Sequence, residues 1–132
     1  MTELIGDLHP MVVHFPIALL MTSVMCWLTQ YLIKDTVSNT FFRITSAMTL
    51  KIGFLFSIVT YVTGYLHSMY WEPESLLDWH GYMALLLTIY AGVMSFLIYP
   101  ASRYYWMWMV VLGILVGITG HYGGTLTHGP LF

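Results

Sequence analysis

The chain has 132 residues, of which 58% are hydrophobic and only 8% charged, with a formal net charge of −2. A water-soluble domain carries roughly 25% charged residues, so this composition excludes a soluble globular protein. With only four Lys/Arg, a basic face for nucleic acid is excluded as well.

One lipid-embedded domain over residues 1–132 is expected. The N-terminal stretch, with Glu3 and Asp7, is acidic where a cleavable leader is basic, so no leader is expected there. Four apolar segments approach the ~20 residues that cross a bilayer. They run from about Phe15 to Leu32, from Leu50 to Tyr70 with a helical lead-in from Phe42, from Leu76 to Tyr99, and from Tyr104 to His121. In lipid every backbone polar group needs an internal partner, so the spans must be helices. The expected fold is all-α, an integral membrane antiparallel four-helix bundle.

Pro16 suits the first turn of the first span, where its missing N–H costs nothing. The single cysteine, Cys26, reads as a small buried apolar residue of that span. Ser75 and Asp78 have capping-box spacing at the start of the third. Pro100 ends the third, and Gly120, Gly123 and Gly124 are expected to loosen the end of the fourth. Trp71, Trp79 and Tyr82 mark one interface, and Tyr104, Tyr105, Trp106 and Trp108 the other. Lys34, Arg43, Lys51 and Arg103 fall on one face, with Asp35. Glu3, Asp7, Glu72, Glu74 and Asp78 fall on the opposite face. The positive-inside rule makes the basic face cytoplasmic. In a bacterium this predicts an inner-membrane protein with both termini in the periplasm.

Four histidines, His14, His67, His80 and His121, fall one to a span and near the acidic face. His9 and His128 lie just beyond, in the outer tails. Ionisable groups at membrane depth are costly and mark function, so the four read as a ligand set. They lie on stripes of one helix face each: His14, Ala18, Met21, Met25; Gly53, Ser57, Thr60, Gly64, His67; His80, Ala84, Leu87, Ala91; and Gly113, Gly117, Gly120, Gly124 beside His121. Small residues admit another helix or a flat ligand. Gly64, Gly120 and Gly124 would open a gap for a porphyrin edge, while Gly113 and Gly117 read equally well as packing.

Imidazole suits iron, copper, zinc and nickel. In an antiparallel bundle the first and third spans are diagonal, as are the second and fourth. His14 with His80, or His67 with His121, would thus clamp haem b across the core, one or two haems in all. No C-x-x-C-H occurs, which excludes covalent c-type haem. Asp78 reads as a helix cap, with orientation of His80 as the alternative role. No catalytic acid–base pair is visible. The expectation is an electron-transfer subunit rather than a catalytic one. It would work with other membrane subunits, a periplasmic carrier such as a c-type cytochrome, and quinol. A periplasm-facing copper-binding protein and a cofactor-free scaffold subunit remain open alternatives.

The segment Leu8-His9-Pro10-Met11-Val12-Val13-His14-Phe15-Pro16-Ile17 resembles the opening of a family of small bacterial four-helix membrane proteins. That family is catalogued as a domain of unknown function, with the signature His-Pro-x-x-Val-His-Phe-Pro-Ile. The likeness continues at Asp78-Trp79-His80-Gly81 and at Gly120-His121-Tyr122-Gly123-Gly124-Thr125-Leu126-Thr127-His128-Gly129. It implies a partner of electron-transfer systems, with haem-type chemistry around His9, His14, His80, His121 and His128. His67 lies outside the matching motifs.

Overall fold

The computed structural model describes residues 2–70, 75–98 and 102–128. Six helices follow one another: α1 (Thr2–Gly6), α2 (His9–Val12), α3 (His14–Leu32), α4 (Thr36–Ser68), α5 (Ser75–Phe96) and α6 (Tyr105–His128). The four long ones form a bundle in cyclic order, α3 on α4, α4 on α5, α5 on α6 and α6 back on α3. The stretches Leu4–Leu32, Thr36–Ser68 and Tyr105–Leu126 are long and apolar enough to cross a membrane. The outside of the bundle is apolar too: Leu28, Leu55, Ile58, Ile89 and Ile114 are all exposed. Only lipid or a partner makes that surface favourable.

Leu20, Leu50, Leu87, Ala91, Met94, Met109, Leu112 and Val116 build the core. Along α4 the buried positions change character toward the acidic end, from Leu50 and Gly53 to Ser57, Thr60 and Thr63. These hydroxyls are satisfied within the membrane: Ser57 donates to Phe54 O at 2.7 Å and Thr63 to Thr60 O at 3.0 Å. Gly53 sets the approach of α3, since a methyl there would stand 2.9 Å from Leu20 Cδ2. Gly92 does the same for α4 and α5 against Phe54, at 2.8 Å.

Three boundaries differ from the sequence expectation. First, α4 starts at Thr36 rather than near Phe42. Asp35 caps it by accepting from Ser38 N at 2.8 Å, and Asn39 Nδ2 donates to Gln30 O, one of the carbonyls left over at the end of α3. At 33 residues α4 is about 50 Å long, well beyond a ~30 Å hydrocarbon core. Second, α6 does not loosen at Gly120, Gly123 and Gly124 but continues to His128. A helical glycine costs ~1 kcal/mol relative to alanine, less than the several kcal/mol for each unpaired backbone group in lipid. Third, the residues before α3 are not a tail. α1 and α2 pack on α4, and Gly6 permits it, since a methyl there would lie 3.0 Å from His67 Cα.

Pro16 does fall in the first turn of α3. It cannot donate to Val12 O, and Thr60 Oγ1 takes that carbonyl instead, at 3.3 Å. The expected cap at Ser75 involves a side chain outside the described residues, as do Trp71, Glu72, Glu74 and Pro100. Asp78 is exposed in the first turn of α5.

Candidate functional site

The acidic end of the bundle gathers three histidines from three elements: His9 from α2, His67 from α4 and His80 from α5. The His9 ring centre lies 6.3 Å from that of His67, the two planes 23° apart, and 6.5 Å from that of His80, at 73°. Two imidazoles on opposite sides of one ion, with metal–nitrogen bonds near 2 Å, have ring centres about 6–6.5 Å apart. Among the described residues no three of His, Cys, Asp or Glu converge closely enough to hold one ion. The cluster therefore offers pairs, with His9 common to both.

Each ring has a backing. His9 Nδ1 donates to Thr60 O at 3.1 Å, with Thr63 Oγ1 at 3.4 Å. A carbonyl can only accept, so Nδ1 carries the proton and Nε2 keeps its lone pair. His80 Nδ1 is buried without a hydrogen-bond partner, as is Thr119 Oγ1. Orphaned polar atoms are rare inside proteins, and two of them in the same part of the bundle suit a ligand-binding imidazole. His67, at the rim with 28% of its side chain exposed, has Asp7 Oδ1 3.7 Å from its Nδ1.

Two glycines hold the rings in place. A methyl on Gly64 would stand 2.8 Å from His9 Cε1, and one on Gly123 would stand 3.0 Å from His80 Cε1. Gly64 thus lies directly against the His9 imidazole. A methyl on Gly117, Gly120 or Gly124 would meet nothing within 4 Å, and one on Gly113 would make an ordinary contact with Val24 at 3.7 Å.

The expected diagonal pairs do not meet in the core. His14 is exposed, on the outward stripe with Ala18, Met21 and Met25. His121 is exposed on α6 beside Tyr122, ring centres 6.1 Å apart. His80 faces His9 instead of His14, and His67 lies by His9 and Asp7 instead of His121. The side chain of His128 lies outside the described residues. The sequence reading placed His9 in a tail and gave Thr60 and Gly123 no part in the site. The signal for His9 was its place in the opening signature, one turn ahead of the His14–Pro16 turn.

No curated protein and no solved structure matches the sequence. The family described as "Predicted membrane protein (DUF2231)" matches residues 6–129, nearly the whole chain, and the chain belongs to that family.

Proposed function

We propose that this chain is a b-type cytochrome subunit of a larger membrane complex, holding haem between His9 and His80 near the acidic end of the bundle. One observation carries the reading: two half-buried imidazoles from separate elements, 6.5 Å between centres, at the spacing of ligands sharing one ion. When bound, haem supplies one-electron chemistry whose potential responds to burial and to hydrogen bonds behind the ligands. Thr60 O fixes the His9 tautomer so that Nε2 keeps its lone pair for a ligand bond. Gly64 and Gly123 set the ring positions. His67 lies beside His9 at the rim, with Asp7 Oδ1 3.7 Å from its Nδ1.

The histidines of the cluster sit at one end, so the chain alone does not carry electrons across a ~30 Å core. Exchange at the acidic face is the natural role. With that face outward by the positive-inside rule, the chain belongs to the bacterial inner membrane with periplasmic termini. Its partners are then other membrane subunits, a soluble periplasmic carrier such as a c-type cytochrome, and quinol as a membrane donor. The test is the absorption of protein purified from haem-replete cells. A shifted Soret band and a sharp α-band on reduction, at one haem per chain, are expected. Their absence overturns the reading.

A copper site is the second reading. It is favoured by the close seating of both rings on glycine, which suits a compact ion without a porphyrin. Stoichiometric copper without iron in the purified protein decides for it.

A further inference from the structure

At the basic end, far from the histidines, α5 and α6 flank a groove of about 490 Å³ lined by Tyr90, Tyr104, Met107, Trp108 and Val111. Its walls are almost wholly apolar. Tyr90 and Trp108 form the inner wall, with ring centres 5.6 Å apart. The Tyr90 hydroxyl donates to Trp108 O at 2.9 Å, so its proton is unavailable to a quinone carbonyl. Next to the lining residue Tyr104 stands Arg103, exposed, its guanidinium carbon 5.0 Å from the centre of the Tyr104 ring. The sequence has no Asp or Glu after Asp78, so neither the connection that carries Arg103 nor α6 supplies a side-chain carboxylate to neutralise it.

An apolar slot opening at an aromatic belt, with a cation next to one of its lining residues, matches an amphiphile with a hydrocarbon tail and an anionic head. We propose that this groove binds an anionic phospholipid, an acyl chain lying along Tyr90, Met107, Trp108 and Val111 and the phosphate meeting Arg103. Guanidinium pairs with phosphate through two parallel N–H donors. In a zwitterionic lipid the choline opposes that attraction, so selectivity follows net charge. The inference is independent of the haem reading.

The test is native mass spectrometry of the detergent-purified chain equilibrated with equal amounts of phosphatidylglycerol and phosphatidylcholine of the same acyl length. The wild type is expected to retain phosphatidylglycerol about five-fold in excess, the effect of one cation at a membrane surface. Arg103→Gln should bring the ratio close to one. Val111→Trp, at a position 41% exposed, fills the slot without touching the core and should reduce retention of both lipids. Equal retention by the wild type, an unchanged preference in Arg103→Gln, or full retention in Val111→Trp overturns the proposal. So does displacement of phosphatidylglycerol by an isoprenoid quinone equally well in wild type and Arg103→Gln.

Discussion

Gly64 forms the floor beneath the His9 ring, and a methyl there would stand 2.8 Å from Cε1 and 3.0 Å from Nδ1. The ring cannot simply rotate away, because Nδ1 is tied to Thr60 O. Gly64→Ala therefore gains up to ~1 kcal/mol of helix propensity but incurs ~1–3 kcal/mol of overpacking. A net loss of up to about 2 kcal/mol is expected. Gly120→Ala meets nothing within 4 Å, so it should be neutral or stabilising by up to ~1 kcal/mol. Thermal unfolding in detergent compares the two. A Gly64→Ala variant as stable as Gly120→Ala removes the seat from the argument.

The histidines divide into two sets by burial, and the division predicts their chemistry. His9→Gln and His80→Gln should abolish the reduced α-band, while His14→Gln and His121→Gln, altering exposed rings, should keep it. Thr60→Val removes the hydroxyl that caps Val12 O and disturbs the carbonyl behind His9. Loss of such support typically costs about 10–100-fold in affinity for the bound group. Haem titration of the purified variants reads both effects. Retained haem in the double variant at His9 and His80 with loss at His14 would reverse the assignment.

The helices were legible because length and hydropathy dictate them in lipid. Which face of each looks inward was not. The stripes through His14 and through His67 are equally regular, yet His14 looks out and His67 lies in the cluster. In water the apolar face is the core face, but in lipid both faces are apolar, so periodicity loses its sign. The Gly53–His67 stripe could be oriented only through what it touches, Leu20 and His9. His9 was hidden for another reason. Residues 1–13 fall outside the four apolar segments, whereas Gly6 lets α1 fold onto α4 at His67. That contact spans α2, α3 and nearly all of α4 in sequence and leaves no local trace.

Ser23 and Ser46 hold α3 to α4 by exchanging hydrogen bonds. Ser23 Oγ donates to Ser46 O at 2.8 Å, Ser46 Oγ donates to Ser23 O at 2.9 Å, and the two hydroxyls are 3.2 Å apart. Both are buried. Polar contacts between membrane helices contribute about 0.6 kcal/mol on average and up to ~1.7 kcal/mol. Each single alanine variant should cost about 1 kcal/mol, and the double variant less than the sum, because the hydroxyls share one site. A double-mutant cycle measures the coupling. Strict additivity would mean that the two serines act separately.

Among the described residues, Asp35 gives a clear pH dependence outside the spans. The Ser38 backbone N–H, then the Ser38 side chain, hold its carboxyl below the ordinary value of 3.8. A depressed carboxylate stabilises the fold only while ionised. Its contribution is complete above the unfolded value of 3.8 and is lost as pH falls below that value through the lower folded one. The negative charge at the start of α4 also suits the helix dipole. Asp35→Ala should therefore lower the unfolding midpoint at pH 6, with the gap to wild type closing toward pH 3. Asp35→Asn keeps the acceptor for Ser38 N–H but has no charge to lose, so its difference from Asp35→Ala should change little over the same range. Unfolding of the three proteins in one detergent across this interval is the measurement. A wild-type advantage that persists undiminished at pH 3 would show that the carboxylate charge contributes nothing to the cap.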